Sequence, residues 1–288
     1  GSNEIRTYTE MEEGRLHNLL NICKKVLETN KRTRSPKLSI SELRKYRKDM
    51  LKIPSGNTEL DEMLGGGIEL EALTEVFGAF ASGKTQFCYS TLVEAMFKHR
   101  WKAIWIDCED TFDPERLHEI IKARGYGADM TEDELDTYID KYLSYIHTPN
   151  TDTVVEEVMN LSRRLVEDES IKLIIVDGAT GQFREEYLGR GTLASRQQNL
   201  AKFLGVLKNS AYFFNVAVLM TNQVGTDPAK AYGDPTYAVG GNIVGHASTY
   251  RLYFKKAGKK RYATAIDSPK QAVFDCEFLL TDKGIDNP

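Results

Sequence analysis

The stretch Glu71–Gln86, EALTEVFGAFASGKTQ, decides the fold of this 288-residue chain. Within it, residues 78–85 read GAFASGKT, which fits the phosphate-binding pattern G-x-x-x-x-G-K-[ST]. The apolar residues before Gly78 predict a buried strand. The residues after Gly83 predict a helix whose positive dipole end faces the loop, where backbone N–H groups can surround phosphate oxygens. The alternative is a chance glycine-rich turn in front of a helix.

Two side chains at the end of this motif are suited to contact a nucleoside triphosphate. Lys84 supplies a positive charge for the β- and γ-phosphates, and Thr85 supplies a hydroxyl for Mg²⁺. We therefore expect ATP and Mg²⁺ as cofactors. The candidate ATP-binding residues of this segment are Gly78, Ala79, Phe80, Ala81, Ser82, Gly83, Lys84, Thr85 and Gln86.

The composition limits the remaining classes of function. Hydrophobic residues make up 41% of the chain and charged residues 28%, which is ordinary for a globular protein. The net charge is −4, so binding of nucleic acid must come from local basic patches. The four cysteines form no C-x-x-C pair, which favours reduced thiols in an intracellular protein over a zinc site. No apolar run approaches the ~20 residues that span a bilayer, so no membrane contact is expected.

From Ile53 onward, predicted strands alternate with predicted helices. This alternation indicates an α/β fold with a central, mostly parallel, doubly wound sheet, whose ligands bind at the carboxyl ends of the strands. Shorter strands separated by turns are expected between Tyr250 and Thr281. The predicted strands cover residues 102–107, 143–147, 171–177 and 216–221, and the predicted helices cover residues 58–64, 84–99, 114–123, 153–167 and 192–209.

The first fifty residues form a separate unit in this interpretation. A capping box and an apolar stripe predict a helix over Thr9–Asn30. The chain is basic from Lys24 to Lys52 and is interrupted at Pro36. We interpret residues 1–50 as a helical arm and linker and residues 51–288 as the core. The basic residues are either a solvated linker or a contact for nucleic acid or a partner.

Polar residues at the ends of predicted strands are candidates for catalysis. Asp177 ends the most apolar strand, IKLIIVD, and is placed to hold Mg²⁺ through water, or alternatively to cap a helix. Glu109 follows the strand KAIWID and either activates water for attack on the γ-phosphate or faces solvent. Gln223 follows another strand and either senses the γ-phosphate or caps the strand.

Two long connections leave strands at this same edge. The first, Arg184–Arg196, reads REEYLGRGTLASR, and the second, Gly225–Gly241, reads GTDPAKAYGDPTYAVGG. Basic residues interleaved with aromatic ones are typical of sites for single-stranded nucleic acid. The alternative is a pair of ordinary surface loops.

Six segments in order carry a resemblance to a known family: GAFASGKTQ, WIDCEDTFDPERL, IIVDGATGQFREEYLGRG with LASRQQ, TNQV, GGNIVGHAST and IDSP. Together they resemble the RecA/RadA-type homologous recombinases, and most closely archaeal RadA and its eukaryotic strand-exchange relatives. The resemblance covers residues from about 51 to the C-terminus. It implies a RecA-like P-loop ATPase core, preceded here by the short helical arm and linker.

The resemblance also implies roles for matching residues. Lys84, Glu109 and Gln223 would be catalytic, with Glu109 activating water and Gln223 sensing the γ-phosphate, while Thr85 and Asp177 would hold the metal. The ATP site would gain Arg116, His246, Asp267, Ser268 and Pro269, the last three as a cap that reaches a neighbouring subunit's nucleotide. The DNA-binding candidates are Arg184, Tyr187, Arg190, Arg196, Gly225, Lys230, Tyr232, Gly240 and Gly241.

The function implied is ATP-dependent homologous pairing and strand exchange by helical filaments on single-stranded DNA, in recombinational repair. Implied partners are single- and double-stranded DNA, other copies of the chain in a filament or ring, and recombination mediator proteins. The location would be the cytoplasm or nucleoid of an archaeon, or the nucleus of a eukaryote.

The linker departs from the family pattern. The family's Phe-x-x-Ala self-association motif has no counterpart in KLSIS, residues 37–41, so we expect Leu38 and Ile40 to replace part of it, with Phe80 as a third self-association residue. This departure keeps one alternative open, a recombinase paralogue that binds ATP and DNA but only assists filament assembly. A second alternative, a generic RecA-like ATPase such as a hexameric helicase, is disfavoured by the GRG sequence in the first loop.

The first prediction concerns the first loop. Because the whole chain is acidic, DNA affinity must be concentrated where arginines converge, as around Arg190. We expect Arg190→Ala to weaken binding of single-stranded DNA and to lower its salt dependence by about one phosphate contact per protomer. DNA-stimulated ATP hydrolysis should fall, whereas DNA-independent hydrolysis should survive. Titrations at several salt concentrations test this, and full DNA affinity in the variant would mean that the DNA path lies elsewhere.

Overall fold

The computed structural model describes residues 38–186, 193–226, 236–269 and 275–288. A nine-stranded sheet forms the centre of the described part, in the order β13-β12-β11-β10-β3-β7-β6-β4-β5. The six strands from β10 to β5 run parallel, and β11, β12 and β13 extend the sheet in antiparallel fashion. The prediction of a mostly parallel α/β sheet is therefore confirmed.

Thirteen strands are described. Their bounds are β1 Lys52–Ile53, β2 Ile68–Glu69, β3 Leu73–Gly78, β4 Lys102–Asp107, β5 Leu143–His147, β6 Ile171–Asp177, β7 Ala217–Asn222, β8 Val224–Thr226, β9 Thr236–Ala238, β10 Tyr250–Ala257, β11 Lys260–Asp267, β12 Asp275–Thr281 and β13 Gly284–Asp286. The pairs β1–β2 and β8–β9 form two small antiparallel ribbons outside the main sheet.

The helices cover both faces of the sheet. Their bounds are α1 Ile40–Asp49, α2 Thr58–Met63, α3 Lys84–Val93, α4 Pro114–Ala123, α5 Glu132–Tyr142, α6 Thr151–Glu167, α7 Gly181–Glu186, α8 Leu193–Phe214 and α9 Gly241–Ala247. Successive residues of β6 show why two layers form, since Leu173 and Ile175 enter one apolar core while Ile174 and Val176 enter the other. Within these described residues, no helix is both long and apolar enough to cross a membrane.

Most predicted elements are confirmed within a few residues, and the differences are local. Helix α3 continues as a π-helical turn over Glu94–Lys98. Helix α8 and strand β7 each extend beyond the predicted ends. Helix α5 was not predicted because it is acidic and buries only Leu135 and Tyr142, which leaves almost no apolar periodicity.

Part of the segment interpreted as a linker is the helix α1. Ser39 and Glu42 form a capping box at its start, but the helix buries none of its residues. Its described contacts with the core are polar: Tyr46 donates to Glu71, and Arg47 lies 3.5 Å from Glu69. The predicted helix over residues 9–30 lies outside the described residues.

A buried arginine fastens the C-terminal end of the chain to the rest of the core. The Arg124 guanidinium lies 2.8 Å from the Glu94 carboxylate, and both side chains are more than nine-tenths buried. The same guanidinium donates to the backbone carbonyls of Lys283, Ser55 and Ile285, at 2.8, 3.0 and 3.1 Å. One side chain therefore joins α4, the turn before α2 and the final strand.

We expect Arg124→Ala to lower the free energy of unfolding by about 3 kcal/mol, because it leaves a buried carboxylate without its main partner. Arg163→Ala is the matched control, since Arg163 pairs with Glu167 on the surface and should cost less than about 1 kcal/mol. Urea unfolding of both variants checks the difference, and equal losses would contradict the structural role of Arg124.

Candidate active site

The loop between β3 and α3 is held so closely that its first residue must be glycine. A Cβ atom on Gly78 would lie 2.3 Å from the carbonyl oxygen of Phe254 in β10 and 2.7 Å from the Ser82 hydroxyl. The loop closes with a hydrogen bond of 3.2 Å from the Ser82 N–H to the Ala79 carbonyl. Gly83 then begins α3 with a φ of 104°, a conformation that side chains disfavour. The result is a compact loop in front of a helix N-terminus.

Lys84 lies across this loop. Its Nζ donates to the carbonyl oxygens of Gly78 and Ala79, at 2.9 and 3.1 Å. Burial lowers the pKa of the Lys84 ammonium, and the nearby carboxylates of Glu109 and Asp177 oppose that shift. The ammonium group is therefore kept at the mouth of the loop, close to both acidic side chains.

Asp177 ends β6 and is 1% exposed. Burial raises the pKa of Asp177 to about 6, although hydrogen bonds with the hydroxyls of Thr221 and Thr85 lower it. Thr221 donates to Oδ1, whereas no described residue makes a well-formed hydrogen bond with Oδ2. A buried carboxylate oxygen without a full partner, beside a threonine hydroxyl, fits a hard divalent cation such as Mg²⁺. Thr85 and Asp177 are thus suited to hold the predicted metal, directly or through water.

Asp107 organises the turn that presents Glu109. Its buried carboxylate accepts hydrogen bonds from the backbone N–H groups of Glu109, Thr111 and Phe112, at 3.1, 3.0 and 3.0 Å. The Tyr145 hydroxyl adds a fourth bond at 3.2 Å. Four donors satisfy this carboxylate, so it serves to fix the turn, and Glu109 itself stays exposed at the same sheet edge as the phosphate loop.

Gln223, directly after β7, reaches the Glu109 side chain. Its Nε2 donates to Glu109 Oε1 at 2.9 Å. Gly178 gives Glu109 the space it needs, because a Cβ atom there would lie 2.3 Å from Glu109 Cγ. The structure therefore brings Lys84, Asp177, Glu109 and Gln223 to one edge of the sheet.

Arg116 lies beside the phosphate-loop helix. Its Nε donates to Gln86 Oε1 at 2.9 Å, and its other nitrogens contact Glu119 and the carbonyl of Thr281. Protein acceptors thus occupy the guanidinium in this arrangement. The predicted contact of Arg116 with ATP stays a prediction.

The remaining predicted ATP-site residues lie at the opposite edge of the sheet. Strand β11 runs antiparallel to β10, and Asp267 pairs with Arg251, whose parallel neighbour is Glu75 near the start of β3. His246, at the end of α9, is followed closely by Thr249, which donates to the carbonyl of Leu73 at 2.7 Å. Along β3, at ~3.3 Å per residue, Glu75 lies about 10 Å and Leu73 about 16 Å from the loop at Gly78. Within one chain, His246 and Asp267–Pro269 are therefore not brought to the phosphate loop.

Some DNA-binding candidates lie in the described residues. Gly225 belongs to β8 and packs against the Tyr237 ring, and Gly240 and Gly241 lead into α9. Tyr237 is 52% exposed in this ribbon and was not among the predicted residues. The backbones of Arg184 and Arg196 belong to α7 and α8. Their side chains lie outside the described part, as do the residues Tyr187, Arg190, Lys230 and Tyr232.

The three predicted self-association residues are reachable from solvent. Ile40 is 81% exposed and Phe80, at the tip of the phosphate loop, is 96% exposed, while Leu38 is partly buried. A cavity of about 750 Å³ with a mixed lining, which includes the polar residues His118, Asp136 and Asp140, opens elsewhere on the surface, beside the edge strand β5. Its lining includes Phe112, Pro114, Leu117, Leu143 and Tyr145.

The sequence analysis did not predict a buried polar network that supports the strand ends of the site. Glu75 is fully buried and pairs with Arg251 at 2.6 Å and with the Asn222 amide at 2.7 Å. Asn222 also donates to the carbonyl of Val239 at 2.8 Å, where the second long connection returns. A charged residue inside an apolar strand, LTEVFG, was the available signal for this network.

A phosphate loop in front of a helix, a buried acidic strand end and an exposed glutamate at one edge of a parallel sheet define a RecA-like P-loop core. Comparison with known families makes this more specific. The Rad51 family model matches residues 46–288, and the chain belongs to the Rad51 family.

Relatives in three archaea support this membership, and each is named DNA repair and recombination protein RadA. The protein of Cenarchaeum symbiosum is 45% identical over 251 residues, which is 85% of this chain and 61% of the relative. That of Ignicoccus hospitalis is 39% identical, covering 86% of this chain and 76% of the relative. That of Aeropyrum pernix is 41% identical, covering 82% and 73%. The chain therefore spans between three fifths and three quarters of these relatives.

The prediction for the phosphate loop concerns Lys84. Charge-assisted hydrogen bonds contribute about 1.5–3 kcal/mol each, so we expect Lys84→Ala to weaken ATP binding roughly 10- to 100-fold and to abolish hydrolysis. Lys98→Ala, which changes an exposed lysine one helix length away, is the matched control. Binding of a fluorescent ATP analogue and phosphate release measure the two effects. Hydrolysis at the parent rate would exclude the phosphate-loop assignment.

Proposed function

We propose that this protein is an ATP-dependent DNA recombinase that forms helical filaments on single-stranded DNA and catalyses homologous pairing and strand exchange in recombinational repair. One observation carries the proposal, the hydrogen bond of 2.9 Å between Gln223 and Glu109. It joins the candidate water-activating carboxylate to the residue from which the second DNA-binding connection begins. Family membership and the three relatives named for DNA repair and recombination support the same function.

In this proposal, nucleotide binding and hydrolysis are divided among the residues at the sheet edge. The backbone of the phosphate loop and Lys84 bind the phosphates, Thr85 and Asp177 hold Mg²⁺, and Glu109 accepts a proton from the attacking water. A Mg²⁺ ion held by these residues would supply charge neutralisation to the phosphates of the nucleotide. Gln223 would release Glu109 and turn to the γ-phosphate when ATP is present, which would move the strand end that leads into the second DNA connection.

The DNA partners of the proposal are single- and double-stranded DNA. The candidate contacts come from the two connections that leave β6 and β7 at the edge where ATP would bind. Contacts to backbone phosphates, with little dependence on base sequence, suit an enzyme that must act on any sequence. Exposed Tyr237 in the β8–β9 ribbon adds an aromatic surface for base stacking.

Self-association is part of the same proposal. His246 and Asp267–Pro269 lie far from the phosphate loop of their own chain, which is the position expected of residues that complete a neighbour's ATP site. Exposed Ile40, with Leu38, is suited to fill the cavity beside β5 of another copy. Recombination mediator proteins are further proposed partners, and the archaeal relatives support a location in the cytoplasm or nucleoid.

The second candidate function is a paralogue that binds ATP and DNA but only assists filament assembly. The absence of a Phe-x-x-Ala motif in residues 37–41 favours it. Electron microscopy of the protein with ATP and single-stranded DNA separates the two candidates. Continuous helical filaments that exchange strands support the first candidate, and DNA binding without filaments or exchange supports the second.

Glu109→Gln tests the catalytic assignment. Because the substitution removes a general base but keeps its size, we expect ATP to bind normally and turnover to fall by roughly 10²–10⁴-fold. Filaments formed with ATP should last longer. Glu115→Gln, at another exposed glutamate near the same edge, is the matched control and should leave turnover unchanged.

Steady-state phosphate release and filament lifetime measure these two effects. If Glu109→Gln turned over at the parent rate, the water-activating carboxylate would have to be another residue. The neighbouring Asp110 would then be the first candidate to test.

A further inference from the structure

The peptide bond that leads into Glu109 is held at both ends. Its N–H, on Glu109, donates to Asp107 Oδ1 at 3.1 Å. Its carbonyl, on Cys108, accepts a hydrogen bond of 3.2 Å from the side-chain amide of Gln182. The plane of this peptide bond fixes the direction in which the Glu109 side chain leaves the backbone. Gln182 therefore makes one of the two hydrogen bonds that orient this peptide group and, with it, the Glu109 side chain.

The orientation of the Gln182 amide is set by its neighbours. Gln182 is 9% exposed, and its Nε2 also donates to the carbonyl of Thr148. Only the NH₂ end of the amide can donate hydrogen bonds to two carbonyl oxygens. Turning the amide so that Oε1 took the place of Nε2 would therefore break both hydrogen bonds. The Oε1 atom is buried and receives no hydrogen bond from a described residue.

The second acceptor, Thr148, belongs to the same local network. Its N–H and its hydroxyl donate to the carbonyl of Asp107, at 3.0 and 2.9 Å. Gln182 thus bridges the end of β4 and the residue that follows β5. A side chain that joins these two chain segments stiffens the turn on which Glu109 stands.

Gln182 also lies on the helix that follows the metal-site strand. Helix α7 begins at Gly181, four residues after β6 ends at Asp177, and it leads into the first candidate DNA-binding connection. The adjacent residue, Phe183, is 1% exposed and packs against Phe203 of α8 at a ring-centroid distance of 5.3 Å. A shift of α7 would therefore move the Gln182 amide relative to the Cys108 carbonyl.

We propose that Gln182 is a positioning residue that aligns Glu109 for hydrolysis through the Cys108 carbonyl and links that alignment to the first DNA-binding connection. This inference rests on the proposed function, in which Glu109 activates the attacking water. Gln182 touches neither nucleotide nor DNA in this role. It acts through the backbone of the turn, which distinguishes it from Gln223, whose side chain contacts Glu109 directly.

Gln182→Met tests the proposal, because methionine keeps the length of the side chain and removes the amide donor. Misplacement of a catalytic group by about 1 Å costs up to ~10²-fold in rate, and we expect DNA-independent turnover to fall about tenfold. The affinity for a non-hydrolysable ATP analogue should stay close to that of the parent. The melting temperature should fall by several degrees, because two buried carbonyls lose their donor, so turnover is compared well below both unfolding transitions. Gln197→Met, the same replacement at an exposed position of α8, should leave DNA-independent turnover unchanged.

The decisive comparison repeats Gln182→Met in the Glu109→Gln background, with single-turnover hydrolysis followed over hours. If Gln182 acts by aligning the carboxylate, its loss has little further effect once that carboxylate is gone. An equal fall in both backgrounds, or no fall in the parent, would overturn the proposal. Parent-like turnover of Glu109→Gln alone would instead remove the proposed function on which it rests. If Gln182→Met does not fold, Gln182→Leu provides the same loss of a donor without adding a charge.

A second readout concerns DNA. If α7 transmits the state of the first connection, the ratio of turnover with saturating single-stranded DNA to turnover without it should fall in Gln182→Met by at least about half. DNA affinity, measured by fluorescence anisotropy with a labelled oligonucleotide, should stay unchanged. A parent-like ratio together with lowered DNA-independent turnover would overturn the link to DNA.

Discussion

The rest of the site depends on two buried carboxylates that lie side by side. Asp107 and Asp177 end the neighbouring strands β4 and β6 and are paired in register, and both are almost fully buried. Buried charges are costly unless they are satisfied. Asp107 is satisfied by three backbone N–H groups and a tyrosine hydroxyl, whereas Asp177 keeps an oxygen without a well-formed partner among the described residues. The Asp107 carboxylate therefore stabilises the turn that carries Glu109, and the Asp177 carboxylate keeps an oxygen that can bind a cation.

The position of the phosphate loop within the sheet explains why one chain holds only part of the candidate site. Strand β3 lies between β7 and β10, so the loop is flanked by the Gln223 strand on one side and, on the other, by the parallel strand β10, from which the antiparallel extension continues. That extension carries Asp267–Pro269 back to the far edge of the sheet. In the proposed filament these residues would meet the nucleotide of a second copy, which would make ATP binding and assembly mutually dependent.

The order of elements and the residues of the phosphate loop could be predicted because both are written in local patterns. Buried strands such as Ile171–Asp177 are apolar at most positions, and the pattern G-x-x-x-x-G-K-[ST] is visible in the sequence itself. Helix α5 and the contacts of Gln182 and Glu75 could not be predicted. The helix has polar residues at most positions. The two hydrogen bonds join residues that are far apart in the chain, since Gln182 is 74 positions from Cys108 and Glu75 is 147 positions from Asn222. Such pairings depend on the register of neighbouring strands, which no local pattern specifies.

The two glutamines that contact the Glu109 turn differ in what it costs to break their hydrogen bonds. Gln223 is exposed, so water can replace its bond to Glu109, and the net loss is about 0.5–1.5 kcal/mol. Gln182 is buried, so its withdrawal would strand polar groups without water, at about 1–3 kcal/mol for each group left unpaired. A contact that is cheap to break suits a sensor that switches in every catalytic cycle. A contact that is costly to break suits a positioning residue such as Gln182. Its hydrogen bonds would persist through many catalytic cycles and break only when helix α7 moves.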